Sequence, residues 1–509
     1  MQGMGAALSV SLIVLLTGCQ GKDTSNAHVA PALTERDAAW SSEVMAILDE
    51  GKNRNQVMEH LRHLTTQIGP RLTGSTRAKT ANEWAAEQFR SWGLENVEVR
   101  EWGTIPAGFD RGPSYGRIVA PRGADREIEF TWPAWSPGTN GPVRGSVYRE
   151  PASQEEFDAI AANLMGAWIL QPARPSGARR GVIDPGGATP TDWLALCREA
   201  GIAGVISVSR GGERVNTSGR YRDLDLDNLP AWTNITVRRS DYDALNSRVA
   251  DGEEVAVEFD CQATFIPGPV PCYNTIAEIR GSELPDEVVI ISAHLDSWDG
   301  PGSQGTVDNG TGSSVTLEAA RILSASGAKP RRTIRFVLWT GEEQGLLGSR
   351  AYVSTLTEEE LSKISAVFVD DGGTNYEGGL QVIESMAPML AEATAPVNTA
   401  FPDMPVEIHI NARMPRGGAS DHASFNAKGV PGFFWDEVGR ADYRYAWHTQ
   451  NDRFDQAIPE YLVQSSTCSA VTAFSVANAP TLLPRQAPAA EGEQAEPPRP
   501  RRARPSAEN

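Results

Sequence analysis

The chain has 509 residues, with 65 Asp and Glu against 46 Lys and Arg and a formal net charge of −19. That length is a soft prior for two or three domains and leaves ample chain to bury a core. The acidic balance argues against nucleic acid or an anionic membrane surface as the main partner, and points only weakly to cation binding.

Residues 6–16 form an apolar run too short to span a bilayer and about right for a signal-peptide core. The run ends in Leu16-Thr17-Gly18-Cys19, which resembles a bacterial lipobox, so Cys19 is expected to carry lipid and become the first residue. No Lys or Arg precedes the run, as a normal n-region would require. Gln20 after the Cys implies sorting to the outer membrane, facing the periplasm or the cell surface. Residues 20–38 are small and polar and read as a tether. No CxxC pair occurs among Cys197, Cys261, Cys272 and Cys468, which disfavours a cysteine metal site. A Cys261–Cys272 disulfide stays open.

Over 55–68 the spacing of Val57, Leu61 and Leu64 predicts a helix, with His60 and His63 exposed on it. The loop 68–75 (IGPRLTGS) stops that helix, and Ser75 caps the next, whose Ala81, Trp84, Ala85, Phe89 and Trp92 line one face before Gly93 ends it. Residues 97–102 read as a strand. From about 115 the chain turns richer in Pro and Gly. There, 166–170 (GAWIL), a helix at 191–200 and a strand at 201–206 make a β-α-β pattern, continued by 229–237, 242–249 and 254–259. From 273 to 474 strands and helices alternate, as in a doubly wound sheet. The tail 484–509 lacks large apolar residues and is expected to be disordered.

Three apolar runs each stop at hard metal ligands: 287–293 (EVVIISA) at His294 and Asp296, 333–339 (TIRFVLW) at Glu342 and Glu343, and 364–369 (ISAVFV) at Asp370 and Asp371. In open α/β sheets, ligands bind beyond the carboxyl ends of strands, so these ends suggest one shared site. Each residue alone has a plainer reading. A His at a strand end is more often structural, although Asp296 tempers this, because metal-bound His usually gives its other N–H to a carboxylate. Asp308, before Asn309-Gly310, would by itself be taken as a helix cap. The adjacent Glu342 and Glu343 repel each other unless a cation separates their roles. Their side chains point oppositely, so one can hold metal while the other faces water. Of Asp370 and Asp371 only one need be a ligand, and His448, in His448-Thr449-Gln450-Asn451-Asp452, could close the site from a loop. As a set, two His and several carboxylates match co-catalytic zinc chemistry, with two ions about 3.5–4 Å apart.

Taken together, His294-Leu295-Asp296, Asp308-Asn309-Gly310, Glu342-Glu343, Asp371 and His448-Thr449 resemble the motif set of the di-zinc exopeptidases, a family of bacterial leucyl aminopeptidases and glutamate carboxypeptidases. The segments HLDSWDG, QGTVDNG and LWTGEEQGLLGSRAY resemble its carboxypeptidase Q group, as does the loop 68–75. The resemblance implies an α/β fold, a doubly wound mixed sheet. It implies two Zn2+, with His294 and Asp371 on one ion, Glu343 and His448 on the other, and Asp308 bridging. It further implies Glu342 as general base to a zinc-activated hydroxide, Asp296 orienting His294, and a cis peptide at Asp308–Asn309. Ser420-Asp421-His422 is similar to a segment near the family's substrate pocket, with His422 not a ligand. The segments AGIAGVI and LPAWTNITV resemble the protease-associated domain, an inserted smaller α/β module.

The expected order is therefore signal peptide 1–19, tether 20–38, peptidase 39–114, inserted domain 115–265, peptidase 266–483 and tail 484–509. The expected partners are peptide substrates, with membrane contact only through Cys19, no nucleic acid, and a homodimer left open. Two other readings compete, a non-catalytic binding relative and a single-zinc glutaminyl cyclase; the complete ligand set disfavours the first and the insert and bridging set the second. A serine hydrolase lacks its GxSxG elbow. Arg416, Tyr443, Arg444 and Tyr445 would suit a substrate carboxylate or an oxyanion, and equally a surface loop. Whether the amino or the carboxyl end of the peptide is attacked is not legible.

Overall fold

The computed structural model describes residues 40–121, 125–173, 191–415 and 417–486. The expectations for residues 1–39, including Cys19, for the tail from 487, and for Arg416 lie outside them. Among the described residues no helix is long and apolar enough to cross a membrane.

The strands are β1 (Glu95–Ala120), β2 (Arg126–Glu127), β3 (Phe130–Thr131), β4 (Val143–Arg149), β5 (Trp168–Leu170), β6 (Gly204–Val208), β7 (Thr233–Val237), β8 (Ala256–Ile279), β9 (Leu284–His294), β10 (Arg332–Trp339), β11 (Ile364–Val369), β12 (Tyr376–Ile383), β13 (Glu407–Asn411) and β14 (Gly432–Val438). At the centre β14, β11, β9 and β10 run parallel, flanked by antiparallel β12 and β8. This is a mixed, doubly wound sheet. Side chains alternate across a strand, and here they alternate between two cores. Val289, Ile291 and Ala293 face one with Leu317, Ile322 and Phe474, from helices Thr311–Ala325 and Pro459–Asn478. Val288 and Ile290 face the other with Trp339, Tyr352 and Phe425. Burial on both faces explains why β9 and β11 read as continuous apolar runs.

A second group of strands, β4, β5, β6 and β7 in parallel with β3 antiparallel, has its own cores built on Trp168, Ile206, Ile235 and Phe259 and on Ile169, Leu194 and Val205. It joins the larger sheet through β8, which pairs with β1 from Glu95↔Glu278 to Ala120↔Ala256. Sequence patterning finds only the two ends of this ribbon. The middle of β8 holds Pro267, Pro269 and Pro271 and pairs with β1 alone, so its other edge is free and proline is tolerated there. Cys261 and Cys272 are free thiols. They lie far apart on that extended strand, at about 3.3 Å per residue, beyond the reach of a disulfide.

Ser75 caps helix Thr76–Ser91 by accepting from the Ala78 amide, as expected. His60 departs from expectation. It is buried, with Nε2 3.0 Å from Glu318, which also pairs with Arg321. Helix Thr311–Ala325 carries this polar pair into its contact with helix Val57–Arg62, so a His on that face joins a buried network instead of meeting solvent.

Candidate metal centre

The parallel register aligns the ligand-bearing strand ends: Trp339 pairs with His294, and Val369 with Ser292. His294 closes β9, Glu342 and Glu343 occupy the turn after β10, and Asp371 follows β11. Between β9 and helix Thr311–Ala325 the chain makes a turn containing a cis Asp308–Asn309 peptide. The Asn309 side chain ties this turn to β11, donating to the Asp370 carbonyl (2.7 Å) and accepting from the Gly312 amide (3.0 Å). A Cβ on Gly312 would fall 2.2 Å from the Asp370 carbonyl, so only glycine permits the approach. His448 arrives from a loop after β14, with φ of 55°.

His294 Nε2 lies 3.1 Å from Asp371 Oδ1 and 3.3 Å from Asp308 Oδ1. His448 Nε2 lies 2.9 Å from Glu343 Oε2 and 3.2 Å from Asp308 Oδ2. The two oxygens of Asp308 thus face different imidazoles. Glu343 Oε1 is buried without a hydrogen-bond partner, and Asp308 Oδ2 has only the His448 imidazole beside it among the contacts described, so both carboxylates keep lone pairs to offer. Ligands about 2.0–2.1 Å from one ion at tetrahedral angles are separated by about 3.3 Å. Both groups, His294–Asp308–Asp371 and Asp308–Glu343–His448, are compact enough for an ion, and imidazole with carboxylate suits a first-row divalent metal. The residues present fit such an ion in each group.

The metal-free electrostatics agree. Burial drives Asp308 up, but its contacts with His294 and His448 win and hold it below the usual carboxylate range. Burial, helped by Asp308, pushes Glu343 up to about 7. Burial pulls His448 down, yet Glu343 and Asp308 hold it up at about 10, and His294 is raised well above the ordinary imidazole value in the same way, chiefly by Asp371. The imidazoliums thus act as the cations this anionic cluster requires. Burial also pushes Glu342 well above the usual range, and its Oε2 lies 4.0 Å from His294 Nε2.

Asp296 lies beside His294 Nδ1, with its main chain nearer than its carboxylate. His294 Nδ1 is 3.0 Å from the Asp296 main-chain carbonyl and 3.6 Å from its carboxylate. That carboxylate accepts from the Thr73 hydroxyl (2.7 Å) and from the amides of Glu342 (3.3 Å) and Glu343 (3.4 Å). Asp370 points away from the centre, toward Glu377 and Glu437. Asp421 is fully buried beneath the site, and burial pushes it up to about 7. His422 is not brought to either ligand group.

A cavity of about 470 Å³ opens over the centre, where Arg350, Phe434, Tyr443 and Trp447 line it beside Asp308, Glu343, Asp371 and His448. Arg444 and Tyr445 are exposed and do not line it. Sequence reading missed Arg350, Phe434 and Trp447. Arg350 follows the GEEQGLLGS turn and Trp447 directly precedes His448, closely enough for both to have been candidates; Phe434 carries no local signal. It also missed Arg71, fully buried, whose guanidinium donates to the carbonyls of Leu295 (2.7 Å) and Gly305 (2.7 Å) and so ties the His294 strand end to the Asp308 turn.

Residues 274–471 match the model of peptidase family M28. Carboxypeptidase Q of Mus musculus is 27% identical over 86% of this chain and 88% of its own length. Aminopeptidase YwaD of Bacillus subtilis is 31% identical over 35% of this chain and 39% of its own. Among solved structures, a peptidase M28 precursor from Shewanella amazonensis superposes with a TM-score of 0.61 at 26% identity, covering 87% of this chain and 98% of that one. A zinc aminopeptidase from Bacillus subtilis shares the fold, with a TM-score of 0.51 at 22% identity over 82% of this chain and 93% of that one.

Proposed function

We propose that this chain, a metallo-exopeptidase similar to peptidase family M28 over residues 274–471, uses two zinc ions to release terminal residues or dipeptides from peptides. In this reading His294 and Asp371 hold one ion, Glu343 and His448 hold the other, and Asp308 serves both. The observation that carries it is the placement of the two Asp308 oxygens against two different imidazoles. Two zinc ions, when bound, supply Lewis acidity that lowers the pKa of a coordinated water to about 7 and offsets negative charge on the scissile carbonyl.

The protein's own groups do the rest. The Glu342 carboxylate takes a proton from the attacking water and passes it to the leaving amine. Its placement favours this, because Glu342 belongs to neither ligand group yet its Oε2 lies 4.0 Å from His294 Nε2. Asp296 is a positioning residue whose carbonyl holds His294 Nδ1 and whose carboxylate gathers the amides of Glu342 and Glu343. The aromatic wall of Phe434, Tyr443 and Trp447 offers apolar surface for a substrate side chain, and the cavity suits a chain end.

The same reading makes 115–265 an inserted protease-associated domain between peptidase parts 39–114 and 266–483. It also places the enzyme on the outer membrane through lipid at Cys19. The test is metal analysis of the purified protein beside hydrolysis of dipeptides blocked at either end. Two zincs per chain with cleavage lost on chelation supports the proposal; cleavage that survives chelation refutes it.

A further inference from the structure

His448 does not hold its place by its own loop alone. Its backbone lies in the left-handed region, which a non-glycine residue keeps only when its surroundings over-determine it. Those surroundings come from the second group of strands. The segment 213–217, which follows β6, lies alongside 448–450 like an added strand. The Thr217 amide donates to the His448 carbonyl (2.8 Å), Asn216 bridges antiparallel to Thr449, and the Gln450 amide donates to the Val215 carbonyl (3.2 Å).

The Gln450 side chain locks the pairing. Its Oε1 accepts from the Val215 amide (2.7 Å), and its Nε2 donates to the Glu129 carboxylate (3.1 Å). The segment is itself braced: Glu213 accepts from the Ser240 amide (2.9 Å) and hydroxyl (2.7 Å) at the start of helix Arg239–Ala250. On the far side, Asp452 Oδ1 accepts from the amides of Thr306 (2.9 Å) and Val307 (2.5 Å), in the turn that carries Asp308. The His448 loop is thus pinned between the second lobe and the Asp308 turn.

We infer that Gln450 and the segment 213–217 are positioning elements for His448, through which the second lobe sets the affinity of one of the two metal sites. This rests on the ligand assignment proposed above. The site of His448 and Glu343 depends on the clamp, because without it the His448 backbone is free to leave the left-handed region and carry Nε2 away from Glu343 and Asp308. The site of His294 and Asp371 does not, because His294 is fixed at the end of β9 inside the sheet.

The experiment is stepwise zinc release from the full chain into a competing chelator, for the wild type, Gln450→Ala and Glu129→Ala, with Asp371→Asn included to identify the step that belongs to the His294 site. The melting temperature of the chelated protein is recorded for each. In Gln450→Ala one zinc weakens about 10- to 100-fold, the usual cost of losing a group that orients a ligand, while the other stays within about twofold. Glu129→Ala, whose side chain is half exposed, moves the same step by about threefold and decides the matter if Gln450→Ala does not fold. Equal weakening of both ions, or no change in either, overturns the inference while leaving the two-zinc reading intact. A wild type holding fewer than two ions overturns the ligand assignment itself.

Discussion

Asp308→Asn is the sharpest perturbation of the centre, because it keeps the shape of the shared residue and removes its charge. Each oxygen of Asp308 faces a different ligand group, and at about 2.0 Å from an ion with an effective dielectric of about 20 one unit of charge is worth about 8 kcal/mol. Allowing about a third of that to survive screening and the donor power the amide oxygen retains leaves about 2.5 kcal/mol per ion, on the order of 100-fold in affinity. The loss falls on both ions, because each faces a different oxygen of the same carboxylate. Glu343→Gln, by contrast, strips only the ion shared with His448. The assay is zinc content after dialysis against a zinc buffer, with chelator competition giving both constants. If Asp308→Asn weakens only one ion, or no more than Glu343→Gln does, Asp308 is not shared and the reasoning fails.

Glu342→Gln is expected to keep both zincs and lower kcat by about 10²–10⁴-fold with little change in KM; a variant of near-normal turnover with full metal removes Glu342 from the base role. In the chelated protein Glu343, Asp370 and Asp421 sit at about 7 and Asp452 at about 8, each above its unfolded value. Their stabilising protons are present below pH about 4 and lost as pH rises through 7–8. His448, raised to about 10, loses its contribution as pH rises from about 6.5 to 10, while His422, lowered to about 4, works the other way between about 4 and 6.5. Melting of the chelated protein should therefore fall between pH 6.5 and 8, with zinc restoring most stability at the upper end; a chelated protein that melts higher at pH 8 contradicts the burial argument. Gly312→Ala puts a methyl against the Asp370 carbonyl and should weaken the zinc held by Asp371 more than the one held by His448, read in the same chelator titration.

The central sheet was legible because β9, β10 and β11 are buried on both faces and so read as unbroken apolar runs that stop at their ligands. Once strand ends are known, their register brings His294, Glu342, Glu343 and Asp371 together. Spacing could not choose Asp371 over Asp370, because the choice depends on which of two adjacent side chains turns toward His294 and which toward Glu377 and Glu437. The β1–β8 ribbon was hidden by prolines that a strand with a free edge tolerates. His60 was misplaced because helical periodicity reports apolar partners and not a buried Glu318. The pairing of 213–217 with 448–450 joins segments far apart in sequence through backbone groups, which leave no trace in residue type.

The most direct test of a shared two-zinc centre is a crystal of the zinc-loaded protein measured at the zinc absorption edge. A shared centre gives two anomalous peaks about 3.5–4 Å apart, one beside His294 and Asp371, one beside His448 and Glu343, with the Asp308 carboxylate between them. A single peak, or two that do not flank Asp308, would contradict it.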